Sequence, residues 1–143
     1  MAEQTAKYSI DDYMTAQRAQ NAVQMYLTLP DGTKTTDYLL VVGTESAEFR
    51  SAKYAQEQRA FEISKMDSME KRMEAVEDAR INVLASCIKG WSFDAPFSDS
   101  AAKKLLKGAP YLADAVDVFI SRRAHFFAKP STTSSRTRTR KSS

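Results

Sequence analysis

Glycine and proline are scarce, at four of each in 143 residues. A loop-rich all-β sandwich needs more such punctuation, so the chain reads as rich in helix. Cysteine is nearly absent, with Cys87 standing alone. That excludes an internal disulfide and a cysteine-built zinc site, and it suits a reducing compartment. The single histidine, His125, removes most metal and triad chemistry. No apolar run approaches the roughly 18 residues of a membrane span, so no membrane contact is expected. The opening MAEQTAKYSIDD lacks the basic and apolar regions of a secretory signal. Gly32, Gly43, Gly90 and Gly108 are isolated, so no phosphate-cradling loop is formed. These absences argue against a hydrolase or a metalloenzyme. No catalytic residue, cofactor or metal is expected.

What is present fits one ordinary globular domain. Hydrophobic residues make up 43% and charged residues 27%, enough for one modest core. The net charge of +3 is unevenly placed. The stretch Lys129–Ser143 holds five basic residues (Lys129, Arg136, Arg138, Arg140, Lys141) and no acid. Removing those five from the 21 basic residues leaves 16 against 18 acidic ones, so the body is slightly acidic. Residues 130–143 are Ser, Thr, Arg and Lys after a proline, with nothing to bury, and are expected to be a disordered basic tail. The tail lacks the interleaved aromatics of a base-stacking surface. A solubilising or weakly anion-binding role is the preferred reading, and nucleic acid is not the expected partner.

Residues 1–21 form a polar, irregular or partly helical lead-in, and residues 22–129 form the single domain. Val23, Met25, Leu27 and Leu29 alternate with Gln24, Tyr26 and Thr28, the period-2 pattern of a half-buried strand. Pro30-Asp31-Gly32-Thr33 is a turn, and Asp37–Gly43 supplies a second, continuously apolar strand. The spacing predicts a β-hairpin within 22–43. Such a hairpin is marginal alone and must pack on helices, another strand or another subunit. Its free edge makes homo-oligomerisation a possibility.

Helices are expected over 44–129. Thr44 or Ser46 can cap the first, and no Gly or Pro interrupts the sequence from there to Lys89. This segment reads as one long helix or as two, with a break preferred near Ser64–Asp67. Met66, Met69, Met73, Val76, Val83 and Cys87 recur at threes and fours, with Arg80 interrupting. Such a stripe is either core, the preferred reading, or an adaptable surface for a partner helix. Gly90 stands where a left-handed C-cap would end the helix. Trp91, Phe93 and Phe97 then crowd a short loop and read as a structural aromatic plug between helices. Ser98-Asp99 starts a helix with Ala101, Ala102, Leu105 and Leu106 on its apolar face, and Gly108 stops it. Pro110 opens a last helix that carries Tyr111, Leu112, Val116, Phe119 and Ile120 and closes with Phe126-Phe127. The predicted fold is therefore α+β and mainly α, an N-terminal β-hairpin followed by a bundle of three to four helices. Asp94, Asp99, Asp114 and Asp117 lack the alternating ligands of a Ca²⁺ loop and read as caps and solvated faces. Cys87 lies on the apolar stripe and reads as structural.

The stretch Ile88-Lys89-Gly90-Trp91-Ser92-Phe93-Asp94-Ala95-Pro96-Phe97-Ser98, with Leu105-Leu106, Pro110-Tyr111-Leu112, Val116, Phe119, Arg122-Arg123 and Phe126-Phe127, resembles the tail assembly chaperones of long-tailed bacteriophages. The resemblance spans residues 83–127. It implies a non-enzymatic protein that binds the tape measure protein, keeps it soluble and helps recruit the major tail protein. It also implies action in the cytoplasm of the infected bacterial host. A structural tail or connector subunit of the particle is the alternative. A groove for a helical client uses Met, Leu and aromatic side chains at helical spacing. Met66, Met69, Met73 and Val76 are the first candidate client-binding set, and Leu105, Leu106, Phe119 and Ile120 the second.

Overall fold

The computed structural model describes residues 7–16 and 18–127. The expected basic tail lies outside the described residues. Two 3-10 turns, Ile10–Tyr13 and Arg18–Gln20, lead into the first strand, β1 (Val23–Thr28). The remaining elements are β2 (Lys34–Val41), α1 (Ala47–Ser64), α2 (Met69–Ser86), β3 (Ile88–Trp91), α3 (Asp99–Gly108), α4 (Pro110–Ser121) and a single helical turn, α5 (Ala124–Phe127). The chain is α+β and mainly helical.

The hairpin forms as its alternation requires. Met25 and Leu27 are buried while Gln24, Tyr26 and Thr28 face out. The β1–β2 register pairs Met25 with Leu39 and Tyr26 with Tyr38. At the turn, Gly32 takes a positive φ of 92°, a conformation that L-residues with a Cβ adopt at a cost. The Thr33 N–H donates to Asp31 Oδ1 at 2.9 Å and locks the turn.

The hairpin is not left as two strands. β3 pairs antiparallel with β2, giving the order β1-β2-β3. This corrects the reading of Gly90 as a left-handed helix C-cap. The helix ends at Ser86 with Cys87 as its C-cap, and Gly90 sits in β3 opposite Leu40. A Cβ on Gly90 would lie 3.3 Å from Leu40 Cδ1, so glycine lets the strands approach there. Trp91, expected in a loop, pairs with Leu39 as a strand residue. The physical reason is non-local. β2 would otherwise expose an unpaired edge beneath an apolar face, and the Ile88–Trp91 segment supplies the missing ladder.

The segment 44–89 folds as two helices. Ser46 caps α1 by accepting from the Phe49 N–H, and its own hydroxyl donates to Gly43 O at 2.7 Å. The break falls at Lys65–Ser68, beside the preferred position, and Ser68 caps α2 by accepting from the Lys71 N–H. Farther on, Ser98 caps α3, and Pro110 occupies the first turn of α4. The last helix is shorter than its pattern suggested. It ends at Ser121, with Arg122 extended, and the chain then turns into α5. Phe126 lies over Gly43, and Arg123 pairs with Glu45 at 3.3 Å, so contacts with the α1 entrance turn the chain away from a continuous helix.

The core lies between the sheet and the helices. Met25, Leu27, Leu39 and Val41 from the strands meet Ile81 and Leu84 of α2, Ala102 and Leu106 of α3, and Leu112, Val116 and Ile120 of α4. Burial of these side chains is the main stabilising term. Only the C-terminal half of α2 enters this core. α1 is anchored at its start, where Glu48 pairs with Lys89 at 2.9 Å and Phe49 touches the core, and α2 is its one substantial helical neighbour. Among the described residues, the start of α2 contributes no side chain to this core, and Lys107 of α3 reaches the middle of α2 by pairing with Asp78 at 2.8 Å. Among the described residues, no helix is long and apolar enough to cross a membrane.

Candidate functional site

The two client-binding candidates part company in the structure. In the first set, Met69, Met73 and Val76 are 67%, 66% and 54% exposed. Met66 is half-buried in the turn between α1 and α2, where its carbonyl accepts from the Arg72 guanidinium. This overturns the preferred reading of the stripe's distal part as core. Its proximal part is core, because Val83 and Cys87 are buried. In the second set, Leu106 and Ile120 are fully buried, and Leu105 and Phe119 pack half-buried against the same core. That set is the domain's own interior rather than a surface for a client. The two sets share a periodicity and differ in what covers them.

The exposed stripe follows from local sequence. α2 presents Met69, Met73 and Val76 at i, i+4 and i+7, one line along the helix. The next residue after each is a glutamate, namely Glu70, Glu74 and Glu77. Successive helical residues are rotated by about 100°, so the glutamates form a parallel acidic ridge along one shoulder of the stripe. Ala75 and Ala79, on another side of the helix, are buried, and the small residues let α1 approach closely. Arg80 closes the stripe. Its guanidinium lies 2.9 Å from Asp114, 3.5 Å from Asp117 and 3.8 Å from Glu77, which ties α2 to α4. The carboxylates, Asp114 foremost, hold the Arg80 guanidinium above its ordinary pKa. Tyr54 and Phe61 of α1 are also exposed, and Lys65 Nζ sits 4.2 Å over the Phe61 ring.

The three aromatics expected as a plug between helices cluster at the end of β3, with Trp91 and Phe93 half-buried and Phe97 exposed. Trp91 meets Phe93 and Phe97 edge-on, with ring centroids 5.3 and 5.1 Å apart, and its indole N–H donates to Ala95 O at 2.8 Å. Trp91 and Phe93 pack on the core, and Phe97 lies at its rim.

The chemically reactive side chains are engaged in structure. Cys87 is fully buried, and desolvation pushes its thiol up to about 12. His125 stacks on Phe119 with centroids 3.8 Å apart, and its Nδ1 is 3.0 Å from Phe119 O. Among the described residues, no group of three or more His, Cys, Asp or Glu side chains converges as a metal site. A cleft of about 620 Å³ opens between the lead-in and the C-terminal turn, lined by Tyr8, Asp12, Tyr13, Arg18, Glu45 and Arg123 among others. Its charges are largely paired within the fold. Arg123 holds Glu45 below the usual carboxylate range, and Arg18 lies 4.9 Å over the Phe127 ring.

Two features escaped the sequence reading. The Met-Glu, Met-Glu, Val-Glu succession was visible as a signal for an acidic ridge beside an apolar one. The exposure of Tyr54 and Phe61 had no local signal. The chain matches no family model, no curated protein and no solved structure.

Proposed function

We propose that the protein is a tail assembly chaperone of a long-tailed bacteriophage, acting without catalysis in the host cytoplasm. In this reading the distal half of α2 binds the helical tape measure protein, keeps it soluble and helps bring the major tail protein to it. The observation that carries the proposal is the exposed Met69–Met73–Val76 line on the half of α2 that stays outside the core. Unbranched, polarizable methionine side chains adapt to varied apolar partners. A helix laid along them would use anchors at i, i+3, i+4 and i+7. Repeats along an extended client would give avidity from individually weak contacts. The resemblance over residues 83–127 supplies the class of client.

A structural tail or connector subunit is the second reading, favoured by the edge strands β1 and β3, whose outer sides pair with no further strand among the described residues. Co-expression with the tape measure protein tests the first reading, which expects the client in the soluble fraction only when this chain is present. Mass spectrometry of purified particles separates the two. A chaperone is absent from finished particles, whereas a subunit is present in fixed stoichiometry.

A further inference from the structure

We propose that the partner helix of the α2 stripe carries basic residues along its flank, so that Lys or Arg side chains meet the ridge Glu70–Glu74–Glu77. This rests on the stripe being the client-binding face, and it adds the charge chemistry of the client. Along this face the negative groups outnumber the positive ones. Glu70 and Glu74 make no ion pair within 4 Å among the described residues, and at the stripe's end Arg80 is shared by Glu77, Asp114 and Asp117. Lys107 of α3 pairs with Asp78 at 2.8 Å and acts on Glu74 and Glu77 through its charge, and Lys71 shares a cleft with Glu74. Six carboxylates (Glu70, Glu74, Glu77, Asp78, Asp114, Asp117) thus stand against Arg80, Lys107 and Lys71. Arg72 is turned inward to the Met66 carbonyl.

Charge also selects among occupants. A second copy pairing antiparallel through the same stripe would set glutamate ridge against glutamate ridge, and like charges in register are destabilising. A parallel copy would set each ridge against the partner's other shoulder, where Ala75 and Ala79 are buried and offer no cation. The chain's own Lys129–Ser143 segment has the right charge but no apolar side chain to cover two methionines and a valine. An amphipathic helix with a basic flank satisfies both ridges at once. Complementary charge of this kind sets orientation and partner choice more than raw affinity.

The test uses the full chain and two synthetic amphipathic peptides, each with leucine at i, i+3, i+4 and i+7. One peptide has lysine flanks and the other glutamate flanks. Fluorescence anisotropy reads binding to the wild type, to the Glu70→Gln/Glu74→Gln variant and to the Met69→Gln/Met73→Gln variant. The expected result is about tenfold tighter binding of the lysine peptide to the wild type, equivalent to about 1.4 kcal/mol. That preference should vanish in the glutamine-for-glutamate variant. Both peptides should lose affinity when the methionines are replaced. Equal binding of the two peptides that still depends on the methionines overturns the basic-flank proposal and leaves the stripe as a binding face. Binding of the lysine peptide that ignores the methionine replacements overturns both, because the attraction is then diffuse charge alone. A failure of the lysine peptide to bind, or a dimer that dissociates on methionine replacement, also overturns the proposal.

Discussion

Leu106→Ala should destabilise the fold strongly, whereas Met69→Ala and Met73→Ala should be nearly neutral, although all three sites lie on regular apolar helical stripes. Leu106 is 0% exposed among Leu39, Val116 and Ile120 in the core. Leu→Ala at such a site removes apolar burial and leaves a cavity, at a cost of about 2–5 kcal/mol. For a domain of this size a urea m-value of about 2 kcal/mol/M applies. A loss of about 3 kcal/mol then lowers the urea midpoint by about 1.5 M. Met69 and Met73 are 67% and 66% exposed, so truncation to Ala removes little buried surface. Alanine is also at least as good a helix former as methionine. Each replacement should stay within about 0.5 kcal/mol, a midpoint shift of about 0.25 M. Urea denaturation followed by far-UV circular dichroism reads both effects. A shift for Met69→Ala or Met73→Ala as large as that for Leu106→Ala would mean that the stripe is packed in solution. The binding-face argument would then fail.

Three other outcomes follow from particular contacts. Cys87 is fully buried with its thiol raised to about 12, so a thiol reagent should label it only after denaturation. Rapid labelling of the native chain would contradict its placement. Glu45 and Glu48 are held below their ordinary pKa by hydrogen bonds from Arg123 and Lys89 respectively. Their contribution to stability is complete above the ordinary glutamate value of about 4.3 and is lost as pH falls through the lowered folded values. The Glu45→Gln/Glu48→Gln variant should therefore show a shallower fall in Tm between about pH 5 and about pH 3, and an unchanged acid limb would refute the linkage. Ser46→Ala should cost about 1–2 kcal/mol in a thermal melt, because one buried hydroxyl caps α1 and also satisfies Gly43 O. A neutral substitution would show that the cap is dispensable.

Local chemistry made much of this fold legible. The Asp31-Gly32 turn, the alternation from Val23 to Thr28, the caps at Ser46 and Ser98, and Pro110 at the start of α4 each depend on neighbouring residues only. β3 was hidden for the opposite reason. Four residues ending in Gly90-Trp91 look like a helix stop, and only the distant edge of β2 makes them a strand. The end of α4 at Ser121 likewise depends on Gly43 and Glu45, far away in sequence. The candidate surface shows the same limit. Met69-Met73-Val76 and Leu105-Leu106 have similar periodicity, and tertiary packing alone decides which is covered.

The most direct test is the amount of soluble tape measure protein recovered on co-expression with the wild type and with the Met69→Gln/Met73→Gln variant, after the variant's Tm has been shown to be unchanged. The account predicts a soluble client with the wild type and an insoluble one with the variant. Equal recovery with both would contradict the assignment of client binding to the distal half of α2.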